Sequence, residues 1–421
     1  MPKVISLPGP TQPQERIQAI DILRGFALLG ILVVNFSGAE VARTGRIDDE
    51  VRCLLWFLID SKFYTTFSFL FGLGFALQLL RARQRKTRIV PVYLRRMAVL
   101  YLIGLFHAIL IWEGDVLLYY AAMGFLLILF RNLPKKLLLV FVILSLAFIF
   151  WWYLPSTPTL KISALLPSTY TPEMEQQKEL DRTLDYVKVS EAWQNVSLMS
   201  RYGTYFQAVK ARFQVWIAGS DFLSRYLWAT AFPMFLLGLY AGRKGIFHDL
   251  VGRQRLLRRM MWTTLPFALG LNLIYAYGPQ VLGRFLQQIP GWGWSLLYVL
   301  YGPVGSLFYI SALLLLLVKS ERWARRLGFL RWVGRMPLSN YLMQSIIGTM
   351  VYYGYGLGMY YRLSYLQGLL LTLAVFALQI PLSRWWLSKF QFGPFEWLWR
   401  SLTYGRPQPV LVRRKEPAQA T

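Results

Sequence analysis

The chain has two histidines, and one of them, His107, falls inside the apolar run Leu100 to Tyr120, LYLIGLFHAILIWEGDVLLYY, with Glu113 and Asp115 six and eight residues behind it. A neutral imidazole is the side chain best suited to take a proton from a hydroxyl or amine, and a carboxylate that orients it also stabilises the imidazolium that forms. Both acids lie past the end of the run that holds His107, so a chain reversal at Glu113-Gly114-Asp115 must bring one of them back to the ring. The competing reading is that His107 hydrogen-bonds a neighbouring helix, worth only about 1 kcal/mol in hydrocarbon. His248, in a basic loop, reads as solvated.

One spacing occurs twice. Arg24 and Asn35 stand eleven residues apart, as do Arg96 and His107. Eleven residues make about three turns, so each pair shares a helix face with its members roughly 16 Å apart. A guanidinium at the inner mouth offers a planar fork to phosphate. With Asn35 and His107 deeper, the layout suits a ligand that enters with its anionic head at the mouth. Asp21 is placed to pair with Arg24 and position it. Asn340 and Gln344, one turn apart in SNYLMQS, form a polar stripe with Ser339 and Ser345; lining a cavity and bonding between helices are both open to it. Asn272 and Gln379 read as helix-to-helix bonds, and Asp60 and Lys62 as a pair. The lone Cys53 permits no intramolecular disulfide, and no metal cluster is expected.

The elements that must hold these side chains are apolar helices. Of the 421 residues, 56% are hydrophobic and 16% aromatic, and mean hydropathy is +0.40. Runs long enough to cross about 30 Å of hydrocarbon recur. They predict an all-α, polytopic transmembrane helix bundle of about ten spans, at Leu23–Ala39, Tyr64–Leu80, Met97–Trp112, Val116–Phe130, Leu137–Leu154, Tyr226–Ala241, Met260–Tyr277, Ser295–Val318, Pro337–Tyr355 and Tyr365–Leu387. Continuous apolar runs rather than alternation exclude a barrel.

The net charge of +26 is concentrated in alternate connections, such as Arg81 to Arg96 and Lys319 to Arg335. That pattern predicts N and C termini in the cytoplasm of a multi-pass inner-membrane protein, with anionic lipid headgroups as company for the basic loops and no nucleic acid. Residues 1–20 read as a flexible lead, 21–154 and 222–390 as the two membrane halves, 155–221 as an extracytoplasmic amphipathic insert, and 391–421 as an interfacial aromatic segment and tail. The insert reads equally as a lid over a cavity and as a spacer. A short echo relates FLFGLG (Phe69–Gly74) to FLLGLY (Phe235–Tyr240), each followed by a basic loop and LRRM.

The stretches IDILRGFALLGILVVN, FSFLFGLGFALQL, GLFHAILIWEGDVLLYYA, GRMPLSNYLMQS and GPFEWLWR together resemble the YeiB-like family of bacterial membrane proteins, a domain of unknown function, over nearly the whole chain. That family is distantly similar to heparan-α-glucosaminide N-acetyltransferase and the membrane acyltransferase-3 proteins, which pass an acyl group from a cytoplasmic thioester to an acceptor across the membrane. The resemblance implies a donor tunnel, acetyl-CoA or acyl-CoA as donor, an acceptor of unknown identity and a homodimer. It also implies roles. Arg24 and Arg96 would hold the donor phosphates, His107 would act as base with Asp115 or Glu113, and Asn35 or Asn340 would donate to the oxyanion. The chain departs from both patterns: the acyltransferase-3 histidine is replaced by Asn35, and the loop histidine of the N-acetyltransferase has no counterpart in Phe36–Leu55. Only His107 remains to inherit the role. The alternative is a carrier or flippase for a small or lipid-linked metabolite, with His107 and Asp115 relaying protons.

Overall fold

A computed structural model describes residues 16–37, 41–42, 45–153, 172–217, 221–281, 283 and 291–412. The expected lead 1–20 lies mostly outside the described residues, as do most of the tail and the first part of the insert. The described residues are helical, with isolated β-bridges and no strand. The helices are α1 (Gln18–Phe36), α2 (Arg46–Leu58), α3 (Lys62–Gln84), α4 (Ile89–Phe106), α5 (Leu117–Leu127), α6 (Lys135–Tyr153), α7 (Pro172–Tyr202) and α8 (Tyr205–Ile217). They continue as α9 (Asp221–Arg243), α10 (Gln254–Val281), α11 (Gly291–Lys319), α12 (Glu321–Arg326), α13 (Leu330–Arg335), α14 (Pro337–Tyr352), α15 (Tyr365–Lys389) and α16 (Pro394–Tyr404).

Five helical stretches among the described residues are long and apolar enough to cross a membrane: Gln18–Phe36, Arg46–Gln84, Ile89–Ile111, Trp292–Lys319 and Tyr365–Lys389. The other expected spans fall on α5, α6, α9, α10 and α14, which are also helices. Three helices were not expected. The α2 helix carries Asp48, Asp49 and Glu50 in too short an apolar frame to register as a span, and it joins α3 through a bend at Ile59–Ser61 where Ser61 has φ 63°. Helices α12 and α13 lie inside the basic connection Lys319 to Arg335.

The two halves of the echo pack on each other. Helices α3 and α9 form the most extensive pairing in the bundle. A Cβ at Gly72 would collide with the carbonyl of Phe235, and one at Gly238 with the carbonyl of Phe69. Both glycines sit at the fourth position of their motif, so the contact is reciprocal. Small residues let helix backbones approach closely, which in hydrocarbon is a main source of association. Around this pair, α1 packs on α13, α4 on α5, and α10 on α11. One apolar cluster runs through Leu28, Phe75, Tyr93, Met97, Tyr120 and Phe235; a second gathers Leu23, Phe69, Leu73 and Met234.

Candidate active site

Helix α4 does not end in a regular turn. Residues His107–Ile111 form a single π turn, closed by the Trp112 amide donating to the His107 carbonyl at 2.9 Å. Such turns re-aim side chains and recur at functional sites. The chain then reverses at Glu113-Gly114-Asp115 and enters α5. This folds Asp115 back onto the ring: Nδ1 of His107 is 2.8 Å from Oδ1 of Asp115. The other oxygen, Oδ2, accepts the Leu118 amide at 2.7 Å and so caps the first turn of α5. Both side chains are buried, His107 completely. A carboxylate at Nδ1 fixes the tautomer with the proton on that nitrogen and leaves Nε2 as the acceptor. Nε2 makes no hydrogen bond among the described residues.

On the basic side of this pair lies a cavity of about 240 Å³. Its mouth is formed by Arg16, Arg24, Arg81, Arg85, Arg96, Arg335 and Arg400, with only Asp21 and Glu396 of opposite sign, and its throat by Leu28, Phe71, Phe75, Met97, Leu100 and Tyr120. It ends at Val116, Leu117 and Tyr341. The Tyr341 ring, which forms part of that end wall, is 5.2 Å from the His107 ring. One aromatic ring therefore separates the cavity from the imidazole. His107 itself does not line the cavity.

The mouth is braced from several elements. Nη1 of Arg24 donates to Oδ1 of Asp21 at 3.2 Å. The guanidinium of Arg96 stacks 3.8 Å above the Trp399 ring, while Trp399 Nε1 donates to the Arg96 carbonyl at 2.8 Å. Helix α16 thus closes the floor, tied to the start of α14 by Glu396: its Oε1 accepts the amides of Leu338 and Ser339, and its Oε2 the Ser339 hydroxyl. Burial, and next the charge of Arg96, push Arg400 down to about 9. Burial, and next Arg16, also lower Arg335. Crowded, desolvated cations of this kind attract a polyanion.

A second, smaller cleft of about 20 Å³ is lined by Asn35, Phe36, Trp112, Gln344, Ser345, Thr349 and Tyr353 among others. Trp112 lies 6.4 Å from the His107 ring, centroid to centroid. The imidazole thus has as ring neighbours one wall residue of each cavity, Tyr341 of the cationic one and Trp112 of the uncharged one.

The residues anticipated from spacing divide among these places. Asp21, Arg24 and Arg96 line the cationic mouth, and Asn35 and Gln344 the smaller cleft. Asn340 lines neither; its amide donates to the carbonyls of Val333 and Met336 and to the Ser383 hydroxyl, a helix-to-helix role. Glu113 turns away from His107 and accepts the Tyr353 hydroxyl at 2.6 Å. Lys62 donates to the carbonyls of Trp56 and Asp60 and the Asp60 carboxylate accepts from Tyr301, while the charge of Asp60 acts favourably on Lys62. Asn272 bonds the Tyr301 carbonyl, Gln379 bonds Gln344, and His248 is exposed. Tyr341, Arg335 and Arg400 went unread. Tyr341 sits within the SNYLMQS stripe, where an aromatic between polar residues was its only signal.

Residues 16–199 match the family described as heparan-alpha-glucosaminide N-acetyltransferase, catalytic. Residues 241–406 match a family described as a protein of unknown function (DUF418). The uncharacterized protein YxaH of Bacillus subtilis is 32% identical over 96% of this chain and 98% of its own length. An uncharacterized 39.9 kDa protein of the amylase 3' region of Bacillus acidopullulyticus is 30% identical over 96% and 99%. The uncharacterized protein YeiB of Escherichia coli is 28% identical over 95% and 99%.

Proposed function

Because the chain belongs to the YeiB-like family of bacterial membrane proteins and its first half matches an N-acetyltransferase catalytic family, we propose that it transfers an acyl group through the bilayer, from an acyl-CoA-like donor on its arginine-rich side to an acceptor on the other. The bundle would cross about ten times with both termini on the arginine side, the cytoplasm under the positive-inside rule. The observation that carries this reading is the buried His107–Asp115 pair, held at 2.8 Å, with the imidazole 5.2 Å from the Tyr341 ring of the cationic cavity and 6.4 Å from the Trp112 ring of the smaller cleft.

The donor phosphates would be held by Arg24, Arg96 and Arg400 at the mouth, and its thioester arm would follow the apolar throat to Tyr341. When the Tyr341 ring turns aside, the thioester carbonyl faces Nε2 of His107. The acceptor amine or hydroxyl, arriving from the smaller cleft, gives its proton to Nε2 as its lone pair attacks the carbonyl carbon. Asp115 stabilises the imidazolium. Asn35, on the cleft wall, would donate to the oxyanion. The C–S bond then breaks, the new C–N or C–O bond remains, and the imidazolium returns its proton to the thiolate.

The test is acyl-CoA binding and thioester turnover by the purified protein in nanodiscs. His107→Ala should bind donor as the wild type does and lose turnover; equal turnover in the two proteins, or passage of intact donor through the bilayer without cleavage, would exclude the reading.

A further inference from the structure

Among the described residues, several buried polar atoms without a hydrogen-bond partner gather at the end of the bundle where α7 and α8 dock. Beside Nε2 of His107 and Oε1 of Gln344, they include Oε2 of Glu113 and both terminal nitrogens of Arg212. Native interiors leave few such atoms, and a guanidinium is among the most costly to leave unfilled. Arg212, from α8, is 2% exposed. Its Nε donates to the Ala208 carbonyl at 3.2 Å and lies 4.0 Å from Oε2 of Glu113, beyond hydrogen-bond reach.

A simple structural bridge would close the guanidinium fork on the carboxylate at about 2.8 Å. Here the two are held apart. Ala208 engages Nε, and the Tyr353 hydroxyl engages Oε1 of Glu113. The Arg212 guanidinium is also 5.9 Å from the Tyr353 ring, and Tyr353 lines the smaller cleft beside Trp112. What remains is a cation with four unused N–H donors facing a carboxylate oxygen with unused lone pairs. A molecule with an anionic group and an ammonium a few bonds apart satisfies both at once.

We infer that Arg212 and Glu113 form a binding site for a small zwitterion, its phosphate or carboxylate on the Arg212 fork and its ammonium on Oε2 of Glu113. Resting on the acyl-transfer reading, this zwitterion is the acceptor: Oε2 of Glu113 takes one proton from its ammonium and later releases it to water, and the free amine is the group acylated, giving a further proton to Nε2 of His107 as its lone pair attacks. The adjoining cleft holds about 20 Å³, roughly one water, so entry needs α8 to move outward. Among the described residues, α8 is tied to the bundle by the hydrogen bond from Tyr205 to the Leu110 carbonyl at 3.0 Å, and its neighbour α7 by those of the Gly354 amide to the Ser200 carbonyl at 2.8 Å and between the Ser197 and Tyr360 hydroxyls at 3.3 Å. The same chemistry occurs in a soluble zwitterion and in an aminoethyl-phosphate lipid headgroup.

The experiment titrates the full-length protein, in phosphatidylglycerol nanodiscs, with phosphoethanolamine, glycine and phosphocholine, whose quaternary nitrogen has no N–H. A parallel arm uses phosphatidylethanolamine nanodiscs and native mass spectrometry of retained lipid. Wild-type protein should bind phosphoethanolamine, or retain the lipid, in preference to the choline form. Arg212→Lys and Arg212→Gln should each weaken binding about tenfold or more, and Glu113→Gln should erase the preference over choline. Thermal unfolding identifies variants that keep the fold; Arg212→Lys, which keeps charge and stem, is the reference if Arg212→Gln fails to fold. Retention of lipid without binding of soluble ligand assigns the headgroup as the source. Unchanged binding in folded Arg212→Lys and Glu113→Gln, or no zwitterion held in either form, overturns the site. Wild-type protein that binds the zwitterion and transfers no acyl group would sink the enzymatic reading while leaving this site standing.

Discussion

Nδ1 of His107 and Oδ1 of Asp115 meet at 2.8 Å because a π turn ends α4 and a tight reversal begins α5, so that residues eight apart in sequence share one hydrogen bond. Replacing Asp115 by Asn keeps the size and an acceptor for the Leu118 amide but removes the charge that stabilises the imidazolium. Turnover should fall about 10²-fold to 10⁴-fold with little loss of stability. Asp115→Ala should also destabilise the protein, by roughly 1–3 kcal/mol, since two buried groups lose their partner. Thioester turnover and thermal unfolding of the two variants separate these effects.

Tyr341 forms the partition between the cationic cavity and the imidazole. Tyr341→Ala should connect the two, raising acceptor-independent thioester hydrolysis while lowering productive transfer. Tyr341→Phe keeps the partition and should resemble wild type in hydrolysis. Donor consumption without acceptor is the measurement.

The cationic mouth predicts a salt-dependent donor affinity. Arg24→Gln and Arg96→Gln should each raise the donor Kd about tenfold, through loss of a charge-assisted hydrogen bond to phosphate. Arg96→Gln should also lose its stacking on Trp399, about 0.5–2 kcal/mol. Calorimetric titrations with acyl-CoA at two ionic strengths check both, and the salt slope should fall in each variant.

Gly72 and Gly238 set the approach of α3 and α9. Each Gly→Val change forces the backbones apart and should destabilise by about 1–3 kcal/mol. Because the contact is reciprocal, the double variant should cost less than the sum of the two. Thermal unfolding in one detergent gives the comparison.

Glu396 is held above the usual carboxylate range by burial, against the opposing pull of its hydrogen bonds. A carboxyl whose folded value is raised binds its proton more tightly in the folded state, so its contribution is greatest below its ordinary value and is lost as pH rises through the raised one. Glu396→Gln keeps an acceptor for the Leu338 and Ser339 amides and should flatten this slope. Glu396→Ala should detach α16, exposing the cavity floor. Stability measured across acidic to neutral pH distinguishes the two.

Much of this architecture was legible because membrane helices announce themselves. Uninterrupted apolar runs placed α1, α3, α4 and α11, and the histidine in a bilayer-length segment marked the site. Periodicity could not tell which acid would reach it. Glu113 and Asp115 differ by two positions, and the π turn, invisible to a regular 3.6-residue count, sends Asp115 to His107 and Glu113 to Tyr353. The spacing argument placed Arg24 and Asn35 on one helix face, yet they serve different cavities, because what lies against a face depends on its neighbours. Asn340 illustrates the same limit: a polar residue on a span reads alike whether it faces a cavity or, as here, Ser383. Arg212 stood in an amphipathic segment that read equally as a lid and as a spacer, where a charged residue is expected on the solvated face, and its burial is a product of tertiary docking.

The central claim is that a donor thioester reaches the His107–Asp115 pair from the arginine-lined cavity. The most direct measurement is an electron cryomicroscopy structure of the protein in nanodiscs with a non-hydrolysable thioether analogue of acetyl-CoA. The account predicts phosphate density against Arg24, Arg96 and Arg400, the Tyr341 ring swung from its present position, and the carbonyl within about 3–3.5 Å of where an acceptor held by Nε2 would sit. Analogue bound elsewhere, or bound at the mouth with its carbonyl end outside the throat and Tyr341 unmoved, would contradict it.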